Sequence, residues 1–279
     1  MTLFSRFLLA AATTAAIATA PAIAADYDPP IVVDKAPEFV PVEVGNGWYL
    51  RGDLGYSFGA DSNGAASYRV FNAGVYTPSN FTTSNFDNNY VWGVGFGYQF
   101  NRWLRADATV EGQDNDFNGL VPSAVPCAGG IAGDTCSTTF NSNVTTYSIL
   151  ANLYGDLGTY AGFTPYVGAG AGMSRVQWGT VRGVQNCVGA GCPAVPVPVA
   201  TTHAGLSTWR FTYGLMAGVA YDITRNMKID LGYKFRHITG GDMFGFDAAS
   251  LAAGATGVQG VDDGFMQHEV KVGVRYSLW

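Results

Sequence analysis

Eight stretches of the chain, 47–58, 89–100, 103–113, 144–156, 163–176, 208–222, 226–237 and 266–279, alternate apolar and polar side chains with a period of two. That is the pattern of strands with two unlike faces. Apart from Arg175 at a strand end, one face carries no charge: Trp48, Leu50, Leu54 and Tyr56 begin it, Phe211, Tyr213 and Leu215 continue it, and Val270, Val272, Val274 and Tyr276 end it. The other face holds Arg51, Asp53, Arg105, Asp107, Glu111, Arg210, Lys228, Asp230, Lys234, Arg236, Glu269, Lys271 and Arg275 among glycine, serine and threonine.

The spacing between these stretches alternates. Short turns are expected near Asn101, Gly158 and Thr224, whereas 59–88, 114–143, 177–207 and 238–265 each run to nearly thirty residues. Long structureless connections count against a compact soluble domain. Their regular alternation with short turns instead matches an outer-membrane barrel, with short periplasmic turns and long extracellular loops.

Alternation alone does not say which face points outward, because a soluble lipocalin-like barrel shows the same period. Two features decide for a membrane. Gly93, Gly95, Gly97, Gly168, Gly170, Gly172, Gly214 and Gly218 lie on the polar face, where they leave room in a narrow interior but would weaken a solvated exterior. Trp48, Phe58, Tyr90, Phe100, Trp103, Tyr221 and Trp279 gather toward strand ends, as in aromatic girdles at the two interfaces. A Lys or Arg facing lipid at mid-bilayer costs about 2–4 kcal/mol, so an uncharged face is what lipid exposure demands. The expected fold is therefore all-β, an eight-stranded antiparallel up-and-down transmembrane β-barrel with four long extracellular loops.

The chain opens with Arg6, an apolar stretch from Phe7 to Ala20 and a small-residue site at Ala22-Ile23-Ala24, which read together as a secretory signal peptide over 1–24. Residues 25–45 form an acidic, proline-rich leader expected to pack poorly, and 46–279 the barrel. Beyond Ala24 no run of 18 apolar residues predicts a transmembrane helix. Loss of the signal removes one base and no acid, taking the formal charge from −6 to −7. Nothing in that balance suggests nucleic acid.

The interior of an eight-stranded barrel is just wide enough to be filled by side chains. The inward charges are thus most simply an ion-pair network, with Arg51 matched to Asp53 and Lys228 to Asp230; a small polar pore is the functional alternative. Arg51-Gly52-Asp53 spells an adhesion tripeptide but lies within a strand, and Gly93-Val94-Gly95-Phe96-Gly97 alternates as a strand with no helix to follow. His203, His237 and His268 show no metal-ligand spacing, and neighbours His268 and Glu269 face opposite ways. No catalytic residue, metal or cofactor is expected.

Four cysteines in an exported chain suggest disulfides. Cys127 lies near Cys136 and Cys187 near Cys192, so local pairing is favoured, each bridge closing a loop of six to ten residues for about 2–3 kcal/mol. The connections also carry Asp61, Asp87, Asp114, Asp116, Asp134, Asp242, Asp247, Asp262 and Asp263, a solubilising surface or a site for cations that bridge lipopolysaccharide.

The acidic leader, then Gly47-Trp48-Tyr49-Leu50-Arg51-Gly52-Asp53-Leu54-Gly55-Tyr56 and later Thr164-Pro165-Tyr166-Val167-Gly168-Ala169-Gly170, resemble the small outer-membrane β-barrel surface antigens of alphaproteobacteria. These are porin-family proteins related to OmpA-type and opacity-type barrels. The resemblance implies a Gram-negative outer-membrane location and an envelope-structural or surface-interaction (adhesion or antigen) role without enzymatic activity. Outer-membrane lipid, lipopolysaccharide and host-surface molecules are the implied partners. A narrow diffusion pore, or haem or small-ligand capture by His203 or His237 at the outer rim, is the alternative. Trp279 falls one residue out of phase with Val270, Val272, Val274, Tyr276 and Leu278, a departure from the family's in-phase terminal aromatic.

Overall fold

A computed structural model describes residues 47–61, 66–123, 135–188, 192 and 200–278. The expected signal peptide and leader, Cys127 and Trp279 lie outside them. Among the described residues there are thirteen strands and one short helix: β1 (Gly47–Asp61), β2 (Ala66–Asn72), β3 (Val75–Asn80), β4 (Thr83–Phe86), β5 (Asn89–Gln99), β6 (Leu104–Ser123), β7 (Thr135–Asp156), β8 (Phe163–Trp178), β9 (Val181–Val188), β10 (Ala200–Gly205), β11 (Ser207–Asp222), β12 (Met227–Asp247), α1 (Ala248–Ala252) and β13 (Val258–Ser277).

Eight of these strands form a closed antiparallel ring. Going round, β1 pairs with β5, β5 with β6, β6 with β7, β7 with β8, β8 with β11, β11 with β12 and β12 with β13, and β13 returns to β1. The turns at one end are short. Asn101 Oδ1 accepts from the amides of Trp103 and Leu104, and Thr224 Oγ1 accepts from those of Asn226 and Met227. Between β7 and β8, Tyr160 and Phe163 exchange both backbone hydrogen bonds around Ala161 and Gly162, whose φ values of 51° and 84° are those of a hairpin turn matched to strand twist.

The faces divide sharply. Outward residues are apolar and open, with Leu54 at 71% exposure and Leu215 at 60%, whereas inward Arg105 and Lys234 are each at 1%. So large a contiguous apolar surface has no place in water. On β11 the outward run from Phe211 to Tyr221 covers ten residue steps, about 33 Å of strand, or roughly 25 Å across a bilayer at the usual strand tilt.

At the other end the structure departs from the expectation of loops. β6 and β7 stay paired as far as Ser123 and Cys136, and β12 and β13 as far as Gly245 and Val258. Four shorter pieces fill in: β4 lies on β6, β9 on β7, β10 bridges β9 to β12, and β2 of the β2–β3 hairpin lies on β13. The physical reason is inside. A second tier of strands can bury Phe81, Phe86, Phe117, Val121, Phe140, Val144, Val176, Trp178, Val181, Ile238, Met243, Phe244 and Phe265 in one core, and loose loops would leave that surface wet. Backbone pairing follows because buried amides need partners.

Phe117 stands in this core at 1% exposure, edge-on to Phe81 and Trp178. Phe117→Ala is expected to cost about 3–5 kcal/mol, read as a lower urea midpoint for conversion of the compact to the slow-migrating form on unboiled gels.

Candidate functional site

The ring's interior is built from the inward positions of consecutive strands, level by level from the short-turn end. At the first level the Arg105 guanidinium lies 3.9 Å over the Tyr154 ring and 4.7 Å from that of Tyr166, and its Nε donates to Asp156 at 3.1 Å. Across the ring Arg275 donates to Asp230 at 3.0 Å. Next, Arg51 joins Asp53 at 2.8 Å and Asp107 at 2.7 Å, while Tyr49 Oη and Asn152 Nδ2 also donate to Asp107. Gly97 makes room here, since a Cβ on it would run into the Tyr49 ring.

At the third level Glu111 accepts from Lys234 at 2.6 Å and Arg236 at 3.3 Å, and Arg236 reaches Glu269 at 2.8 Å. Gln113 and Gln267 take further donors of Arg236. Lys271 makes no ion pair with any described residue; with Asp53, Glu111 and Glu269 it lines a cavity of about 10 Å³, the size of a single water. Ser148, Ser174 and Thr212 form a hydroxyl chain at 2.6–2.7 Å, and beyond it lies the aromatic core.

The structure thus brings together Arg51, Asp53, Arg105, Asp107, Glu111, Asp230, Lys234, Arg236, Glu269, Lys271 and Arg275. Lys228 needs correction. It pairs with Asp222 at 2.6 Å near the turn, and Asp230 belongs to Arg275. Lys228 sits at the ring's end, where its long stem reaches solvent, while Arg275 lies directly opposite it in register and extends inward.

Asp262, expected on the surface, is buried against Arg210 at 2.8 Å. Asp156 was missed, although it follows Asn152 and Tyr154 in inward phase. The aromatic core was missed too. His203, a candidate rim ligand, is only 3% exposed, with its ring centroid 5.9 Å from that of Phe140 and 5.3 Å from that of Phe244. His237 lies outward against Tyr213, and His268 outward among Phe58, Tyr233 and Phe235. Glu269 faces the interior, so no acid stands beside that imidazole.

Cys187 and Cys192 form the expected local disulfide. Cys136 is also disulfide-bonded and stands opposite Cys187 in the β7–β9 ladder. Among the described residues no group of three His, Cys, Asp or Glu side chains is arranged to hold a metal ion.

With a closed ring, an apolar exterior and an ion-paired interior in place, the comparisons are unambiguous about family. The family model described as outer membrane protein beta-barrel domain matches residues 8–277. The chain belongs to this family, and its place is the bacterial outer membrane. It is 34% identical to an uncharacterized protein of Brucella suis, over 89% of this chain and 90% of that one. It is 23% identical to a Rickettsia bellii protein provisionally named an adhesin, over 83% and 88%. Among solved structures it is similar to Neisserial surface protein A, with TM-score 0.43, 15% identity, and coverage of 84% of this chain and 99% of that one.

Removing one partner of a buried ion pair strands the other, so Glu111→Gln or Lys234→Met alone is expected to cost about 3–5 kcal/mol, and the double replacement clearly less than the sum. Urea midpoints of the four proteins close the cycle.

Burial pushes the His203 pKa below its ordinary 6.5, and Asp247 offsets this only in part. The unfolded segment then binds a proton more readily than the folded one, so stability is full above about pH 6.5 and is lost as pH falls toward the folded-state value. Amide exchange in β9 and β10 should quicken on acidification, and His203→Leu should remove that dependence.

Proposed function

We propose that this chain is a non-conducting, non-enzymatic eight-stranded transmembrane barrel. Its four long connections lie on the extracellular side and form a rigid surface for interaction with host-surface molecules. The observation that carries this reading is the aromatic core at the end of the ring away from the short turns. Phe86 lies 4.7 Å from Phe265 and Phe117 4.9 Å from Trp178, centroid to centroid, directly beyond an interior in which Arg105 and Lys234 are ion-paired and at 1% exposure.

A diffusion pore needs water past both layers. Opening one would break several buried ion pairs and unpack a hydrophobic core, each step worth kilocalories. The paired second tier supports display, because a surface that binds without first ordering itself loses less affinity to entropy. The adhesin name carried by the Rickettsia bellii relative points the same way. Haem capture at the rim is not favoured by a His203 sealed between two phenylalanines.

Single-channel recording tests the reading. Refolded protein, shown compact on an unboiled gel, should give no steady current steps in a planar bilayer. Steps that change when Arg105 or Lys234 is replaced by Ser would establish a pore and displace the display role.

A further inference from the structure

Two disulfides meet in one row of the second tier. β7 and β9 are held in register by seven consecutive residue pairs, from Thr135 opposite Val188 to Asn141 opposite Arg182, and Cys136 stands directly opposite Cys187. Directly opposed residues of an antiparallel ladder point to the same face, with Cα atoms about 4.5 or 5.5 Å apart. Both separations fall inside the range of about 4.4–6.8 Å that a disulfide spans. Yet the two cysteines are bonded elsewhere. Cys187 is joined to Cys192, five residues on and 5.7 Å away between Cα atoms. Cys136 is in a disulfide of its own, for which Cys127 is the local partner expected from the sequence.

The surroundings of these sulfurs differ. Cys136 is buried at 5% exposure, while Cys187 and Cys192 are half-buried. Cys187 belongs to the paired strand β9, whereas Cys192 lies in the connection between β9 and β10. The sulfur of Cys192 is therefore the one that a small thiolate from solvent reaches. Displacement there releases Cys187 as a thiolate with two disulfides close by. One is the mixed disulfide it has just left, five residues along the chain. The other is the Cys136 disulfide across the ladder.

We propose that Cys192 is a covalent capture site for a low-molecular-weight thiol, made persistent by the Cys136 disulfide. The thiolate RS⁻ attacks Cys192 Sγ, forming the RS–Sγ bond and expelling Cys187 as thiolate. Cys187 Sγ then attacks Cys136 Sγ, forming a Cys136–Cys187 bond and expelling the former partner of Cys136, which takes up the proton that RSH gave up. Two disulfides stand before and after, so no electron is gained or lost and no oxidant is needed. Because β7 and β9 are already in register, closing the new bond costs the folded chain little entropy, and it ties the β6–β7 extension covalently to β9. The thiol is retained because Cys187, the group that would expel it, has been consumed. None of this chemistry depends on conduction or on which side of the membrane the second tier faces.

Peptide mapping tests it. Refolded wild type, shown compact on an unboiled gel, is incubated with glutathione, its remaining thiols are blocked with N-ethylmaleimide, and its peptides are mapped by mass spectrometry without reduction. Glutathione is expected on Cys192, maleimide on Cys127, and Cys136 linked to Cys187. No adduct, or maleimide on Cys187 with Cys136 still joined to Cys127, overturns the proposal. Glutathione on Cys127 with maleimide on Cys192 overturns the assignment of Cys192 as the point of entry. In the Cys127→Ser, Cys136→Ser double variant, Cys187 has no second disulfide to attack and stands beside Cys192 at an effective concentration of about millimolar or more, so the adduct should fall about tenfold or more. An undiminished adduct in that variant counts against the retention step and overturns it. Cys192→Ser, compact on the same gel, should carry the Cys136–Cys187 bond with no thiol added, and a free Cys187 there sinks the exchange; the wild-type map decides alone if either variant fails to fold.

Discussion

Everything in this structure depends on closing the sheet. In a bilayer an unpaired backbone amide costs several kilocalories, and no water is present to take it up. The β1–β13 ladder removes the last edge of the ring, running without interruption from Tyr49 opposite Ser277 to Phe58 opposite His268. Closure then fixes the rest of the chemistry. With eight strands the enclosed space is narrow, and residues of alternate phase must enter it. The outward phase is given to lipid, so between the two membrane margins the charges of these strands are confined to the interior.

Confinement explains the form of the network. A buried charge is tolerated only where partners are close and hydrogen bonds satisfy its remaining atoms. The carboxylates Asp107 and Glu111 each serve more than one donor. Arg105 instead spends its faces on two tyrosine rings. Such an arrangement is specific rather than merely stable: a one-residue slip would turn Arg51 and Arg236 to lipid and Leu50 and Phe235 to the interior. The ion pairs therefore fix register as well as fill space.

The same logic sets what was legible in the sequence. Period two, an uncharged face and inward glycines were readable because lipid imposes them on every strand that crosses it. The faces of Arg51, Glu111 and Leu215 followed directly. Partner choice was not readable, because alternation gives the face but not the rotamer or the reach, and so Asp230 was matched to Lys228 instead of Arg275.

The second tier was hidden for a further reason. Beyond the membrane the outward face becomes polar, as with Asp114, Asp116 and Asn118 on β6, while inward Gln113 and Asn115 are polar as well. Two polar faces erase the alternation, and the inward run resumes only at Phe117. Phase continued from Glu111 through Gln113 and Asn115 would have placed Phe117 inside.

Outside the bilayer a different constraint takes over. Among the described residues the second tier leaves β3 paired on one side only, and a free edge invites another strand. The hairpin turns through Ala73 and Gly74, at φ 47° and 81°, so Asn72 and Val75 flank it as a hydrogen-bonded pair, and alternation directs the nitrogens of Tyr76 and Pro78 to the open side. Pro78 has no N–H to offer there. The edge is thus poor in donors where a partner strand would seek them, and side chains rather than backbone are left to make contacts. A tier so protected can stand in water as a fixed surface, which is what its aromatic core and paired strands would be expected to maintain.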